Sequence, residues 1–219
     1  MPLLIAAAVA LLLQADAMAA LVAEARALRA DRIYVAGHSL GGMLAPRIGA
    51  ADPALAGLIV LAGAVRPLED SLLAQTRDLA EVDDRVTEAE QAQIAAAAAV
   101  ATRARTIAPG DPPLTGVLAS APASYLVDLR GHHPPTAAGA LRLPMLVLQG
   151  ERDYQVTMDD FAAWRAALGE RTDVRFVSYP ALNHLLMAGT GTSTPAEYRV
   201  EGHVDEAVVA DIATWVAAR

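Results

Sequence analysis

The sequence predicts an α/β chain with a mainly parallel sheet covered by helices on both faces. Three observations carry this. Apolar runs of strand length recur at Arg32–Ala36, Leu55–Ala62, Pro144–Gln149 and Val174–Tyr179. Helical patterns separate them, and strands that are apolar at nearly every position are buried on both faces, as in parallel sheets. Gly37-His38-Ser39-Leu40-Gly41-Gly42 follows the first run and opens a helical stretch, giving a strand–turn–helix unit.

Composition narrows the class. The 219 residues are 54% hydrophobic and 19% charged, with a mean hydropathy of +0.33. A disordered chain needs the opposite balance. Cysteine is absent, which excludes disulfide scaffolds, thiolate metal sites and a cysteine nucleophile. The net charge of −8 comes without any basic run, so no nucleic-acid partner is expected.

In chain order, Leu3–Leu13 is an unbroken apolar run. It is shorter than the roughly 20 residues a membrane span requires, so no span is predicted. It reads as a buried strand or helix, or as the core of a signal peptide cleaved near Ala15-Asp16-Ala17. No Lys or Arg precedes it, which favours a cytoplasmic protein; secretion follows if residues 1–17 act as a signal peptide. Met18, Leu21, Val22, Ala25 and Leu28 recur at helical spacing and predict a helix over Ala15–Arg29. Another is expected over Met43–Ala51. Residues 67–141 then interrupt the rhythm. They hold helical patterns over Glu69–Ala80 and Thr87–Ile107, a proline-rich loop (Pro109, Pro112, Pro113) and a short helix over Ala123–Leu129. Thr87 and Glu90 fit a capping box. The segment has the size of a helical lid or cap inserted in a single domain of residues 1–219. Helices over Phe161–Leu168 and His203–Ala218 complete the pattern, with His203 at the start of the last and Asp205 as its cap.

The strand–turn–helix unit carries the chemistry. G-x-S-x-G in this context matches a nucleophile elbow, a tight turn that lifts the serine hydroxyl out of the sheet. Such a serine needs an adjacent base. Asp153 follows the third strand and His184 the fourth, so Ser39, Asp153 and His184 occupy strand carboxyl ends in the order nucleophile, acid, base. Glu151 competes for the acid role but follows its strand by a single glycine. His38, Tyr125 and Tyr154 are the candidates for a substrate pocket, with Asp128 beside Tyr125 and elbow packing the plainer reading of His38. His132 and His133 read as solvated loop. No pair of histidines makes a metal motif, and no cofactor is needed.

GHSLGGMLAPRI, LAGLIVLAGAVRPLED, LPMLVLQGERDYQVT and YPALNHLLMAGTGTSTPAEY together resemble the serine α/β-hydrolase superfamily. Within it the chain is similar to bacterial esterases of lysophospholipase-like and dienelactone-hydrolase-like kinds. Dienelactone hydrolases use cysteine, so that likeness is one of fold. The resemblance implies a triad of Ser39, Asp153 and His184, with the Leu40 N–H as one oxyanion donor. It also implies a truncated or minimal version of the fold. The elbow strand comes so early that the usual first strands, and the His-Gly loop bearing the second oxyanion N–H, have no room. The elbow strand would then become a sheet edge, covered by Leu3–Leu13 or by a second chain in a homodimer or domain swap.

The expected activity is hydrolysis of small-to-medium acyl esters by a serine carboxylesterase. The alternatives are a weakly active or non-catalytic binding or assembly module, and a thioesterase or peptidase on the same scaffold.

Overall fold

A computed structural model of the chain describes residues 5–7, 22–27, 32–114, 118 and 121–219. Five strands form one sheet: β1 (Ile5–Ala7), β2 (Tyr34–His38), β3 (Gly57–Leu61), β4 (Met145–Gly150) and β5 (Val174–Tyr179). They lie in the order β1-β2-β3-β4-β5, and every neighbouring pair is parallel. The four predicted strands are β2 to β5.

The fifth strand comes from the Leu3–Leu13 run. It pairs Ile5 with Tyr34 and Ala7 with Ala36. β2 is therefore not an edge, because the chain's own backbone takes up its free hydrogen-bonding groups. This removes the reason for expecting a dimer or domain swap through β2. The rest of the run and Ala15–Ala17 lie outside the described residues, as does most of the predicted Ala15–Arg29 helix, of which residues 22–27 are helical.

Besides the helical residues 22–27, the described helices are α1 (Leu40–Ala51), α2 (Leu68–Ala80), α3 (Glu88–Thr106), α4 (Ala123–Leu129), α5 (Pro134–Gly139), α6 (Met158–Leu168) and α7 (Glu206–Ala217). The chain divides into two compact units, one drawn from Met1–Val65 and His133–Arg219, the other being Arg66–His132.

The first unit holds the sheet, and strand parity sorts its core. Val35, Leu58, Val60, Met145 and Val147 pack with Ala45 of α1, Ala138 of α5 and Phe161, Trp164 and Leu168 of α6. The intervening Tyr34, Ile59, Leu146 and Leu148 pack with Val208, Trp215 and Val216 of α7. Successive strand residues point to opposite faces, so both faces are apolar and both are covered.

Two helix starts differ from expectation for a local reason. α6 begins at Met158, not Phe161, because Thr157 donates its N–H to the Asp160 carboxylate at 3.0 Å. α7 begins at Glu206, not His203: the Asp205 carboxylate accepts from Ala207 N at 2.8 Å, and His203 stays outside the helix. A helix starts where a side chain can satisfy its free N–H groups.

The second unit has its own apolar cluster, including Ala104 and Ile107 at the end of α3 and Ala123 and Leu126 of α4. Thr87 and Glu90 close the capping box that opens α3. Arg130 donates to the free carbonyls of Ala104 and Ile107 at 3.0 and 2.8 Å. The predicted insert of 67–141 is thus shorter as a compact body. From His133 onward the chain, with α5, packs with the sheet, because Ala138 and Leu143 are buried in the core of the first unit.

Trp164 links α6 to the loop after β3, its indole N–H donating to Gly63 O at 2.8 Å in the interior. Trp164→Phe leaves that carbonyl without its donor. The expected loss is about 1–3 kcal/mol of unfolding free energy, read by urea titration; an unchanged midpoint would show the bond to be dispensable.

Candidate active site

Parallel strands deliver their carboxyl ends to one edge of the sheet. Ser39 follows β2, Asp153 lies three residues past β4 and His184 stands beyond the turn after β5.

Ser39 has φ 57° and ψ −118°, a conformation that non-glycine residues rarely adopt. Strained backbone of this kind costs about 1–3 kcal/mol and persists only where the surroundings impose it. Here Ser39 N donates to Leu61 O at 2.9 Å, and Ser39 O accepts from Met43 N at 3.0 Å. A side chain at Gly37 would bring its Cβ within 2.2 Å of Gly41 O, so the turn closes only over glycine. The Met43-to-Ser39 bond is the first of α1. The N–H groups of Leu40, Gly41 and Gly42 therefore precede the helical ladder and carry the positive end of its dipole.

Asp153 is only 5% exposed. Its Oδ1 accepts from the N–H groups of Gln155 and Val156 at 2.8 and 3.0 Å. Its Oδ2 accepts from Gln149 Nε2 at 3.2 Å and faces His184 Nδ1 at 2.7 Å. A carboxylate only accepts, so Nδ1 carries the proton and Nε2 of a neutral His184 is left as the acceptor. Glu151, the rival acid, is exposed and accepts from Ser178 Oγ at 2.7 Å.

Gly150 lets the two loops approach. A Cβ there would stand 2.5 Å from Leu182 O and 2.7 Å from Asn183 O. Asn183 shapes the turn around His184: its Oδ1 accepts from the N–H groups of Leu185 and Met187 at 3.0 and 3.2 Å.

His38 touches His184 directly. The rings are 4.6 Å apart, and His38 Nε2 lies 2.8 Å from His184 O, which can only accept. Burial, followed by the charge of His184, holds His38 below the usual imidazole range. This contact brings the elbow next to the Asp153–His184 pair. Tyr154 stacks on Tyr198 at 6.4 Å between ring centroids. Burial first, then Tyr198, pushes its hydroxyl well above the ordinary phenol range. Tyr125 belongs to the second unit, where it packs against the α4 cluster. Among the described residues no group of three His, Asp or Glu side chains is gathered as for a metal, and no helix is long and apolar enough to cross a membrane.

Sequence reasoning missed Gln149, Arg152, Asn183 and Glu197. Gln149 did leave a signal: it is the one polar side chain in the PMLVLQ run, and it is fully buried. Glu197 left none, since Arg152 and Asn183, the partners that link it to the site, lie 45 and 14 positions away.

A family model described as serine aminopeptidase, S33, matches residues 12–190. The chain belongs to this hydrolase family. It is 38% identical over 186 residues to esterase EstD of Thermotoga maritima, a match that covers 85% of this chain and 43% of that protein. The chain thus spans less than half the length of this curated relative. Among solved structures it is similar to Est1E from Butyrivibrio proteoclasticus (17% identity, 78% of this chain and 60% of that one, TM-score 0.48). It is also similar to a monoacylglycerol lipase of Paleococcus ferrophilus (16% identity, 78% and 66%, TM-score 0.47).

The part-buried His38 makes stability depend on pH. Its folded value is depressed, so the unfolded chain binds the proton more readily below about pH 6.5. Its contribution is complete above that pH and is lost on acidification. Urea midpoints at pH 7.5 and 5.5 should therefore fall less in His38→Gln than in the wild type; equal falls would exclude His38 as a source.

Proposed function

We propose that the chain is a serine carboxylesterase acting on small-to-medium acyl esters. Ser39 Oγ attacks the ester carbonyl. His184 Nε2 takes the serine proton and returns it to the leaving alcohol. Asp153 holds the imidazole tautomer and stabilises the imidazolium. The Leu40 N–H, free at the head of α1, donates to the oxyanion. An acyl-enzyme forms, and water activated by His184 releases the acid. The observation that carries this reading is the buried 2.7 Å Asp153–His184 pair, packed through His38 against the strained turn at Ser39. The name of EstD favours an ester over an amide substrate. His38 and Tyr154 belong to the wall of the same site in this reading. The helical unit Arg66–His132, with Tyr125, serves as its lid in this reading. Exchanging Arg66–His132 for a short linker should then shift the preference between acetate and butyrate esters.

With p-nitrophenyl butyrate, Ser39→Ala is expected to lose at least about 1,000-fold in kcat, and Asp153→Asn about 10,000-fold. Equal rates for Ser39→Ala and wild type would defeat the catalytic reading. A fluorophosphonate probe separates it from a binding or assembly module: labelling of Ser39 supports the enzyme, and a folded but unlabelled protein supports the module. Among the described residues, a homodimer or swap through the sheet has the β1 and β5 edges to use. A monomer mass by light scattering would exclude it.

A further inference from the structure

The side chains next to Asp153 and His184 converge on one carboxylate. Arg152 precedes the acid and pairs with Glu197 Oε1. Asn183 precedes the base and donates from Nδ2 to Glu197 Oε2 at 2.8 Å. Ser193 Oγ donates to the same oxygen at 3.0 Å. The Arg152 side chain is only 10% exposed, and its remaining N–H groups reach Gly191 O, Thr190 O and Ala181 O at 2.8, 3.0 and 3.3 Å.

Asp153 and His184 leave different strands, so a pair distance of 2.7 Å demands that two loops be fixed against each other. Backbone ties them at Glu151 N to Tyr179 O and at Arg152 N to Leu182 O, both 3.0 Å, and the Arg152 guanidinium adds its bonds to Ala181 O, Thr190 O and Gly191 O. Glu197 adds a side-chain tie of its own, joining Arg152 beside Asp153 to Asn183 beside His184. Burial pushes the Glu197 carboxyl up, but the hydrogen bonds from Asn183, Arg152 and Ser193 outweigh it and keep the group ionised. An ionised carboxylate holds a guanidinium and an amide together more tightly than a neutral acceptor does. Glu197 lies beyond residue 190, where the family match ends.

We propose that Glu197 is a positioning residue whose carboxylate clamps the loop of Asp153 to the loop of His184 and so sets the geometry of that pair. The kinetic consequence rests on the serine-hydrolase reading above; the structural consequence does not.

Both are tested in Glu197→Ala and Glu197→Gln of the full chain. The readouts are kcat and KM on p-nitrophenyl butyrate and the low-field proton resonance of His184 Nδ1. Glu197→Ala should lower kcat about 10- to 100-fold, as a small misplacement of reacting groups does, with KM within about twofold. The resonance should broaden or move upfield while the circular dichroism spectrum stays that of wild type. Glu197→Gln, which keeps the shape but loses the charge, should fall between. A folded Glu197→Ala with wild-type kcat and resonance overturns the proposal, and so does a change confined to KM. If Glu197→Ala does not fold, Glu197→Gln decides by the same two signals. The resonance is also recorded in Ser39→Ala. There it reports the clamp even if Ser39→Ala matches wild type in hydrolysis, which would refute the esterase reading alone.

Discussion

A carboxylate as deeply buried as Asp153 must find donors for both oxygens or lose its charge. It finds four: two backbone N–H groups of its own loop, the Gln149 amide and His184. Each demand propagates outward. The two N–H groups fix the turn after β4. Gln149 must be amide rather than apolar, although the strand residues before it, Met145 to Leu148, are all apolar and buried. His184 must reach in from β5, and it does so only because Gly150 leaves space for the Leu182 and Asn183 carbonyls. The loop at Asn183, the Arg152 anchorage and the position of Glu197 all follow from keeping one buried charge satisfied.

The elbow at Ser39 meets a different requirement with similar means. Its backbone is held off the common regions by hydrogen bonds to β3 and α1, and the strain is local. A sheet covered on both faces supplies the rigidity that such a turn needs. The alternation of Leu58, Ile59 and Val60 between two cores makes β3, next to the elbow, fully buried along most of its length.

Much of this was legible in the sequence because it is local. Strand runs, the G-x-S-x-G turn, the Thr87 capping box and the Asp205 cap each depend on residues a few positions apart. The order of Ser39, Asp153 and His184 could be read because strand ends in a parallel sheet share an edge. What could not be read is long-range or side-chain-specific. Nothing near Glu197 announces Arg152, 45 positions away. The end of the compact second unit at His132 depends on where Ala138 and Leu143 find a core, and periodicity does not encode that. The strand within Leu3–Leu13 is one of three open readings, because an apolar run without alternation fits a helix, a strand or the core of a signal peptide.

The order of the sheet has a consequence for how the molecule opens. Each strand lies beside its predecessor in the chain, so the sheet can unzip from either side without disturbing the middle. β5 is one of those sides, and most of its residues are only partly buried, unlike β4. The histidine loop hangs from β5, whereas the serine turn stands beside the fully covered β3. Partial opening at the β5 border would therefore release the imidazole while the serine stayed in place. In hydrogen exchange, amides of β5 and its following turn would exchange through a lower-energy opening than those of β3, so the two halves of one site would sit in regions of unequal stability.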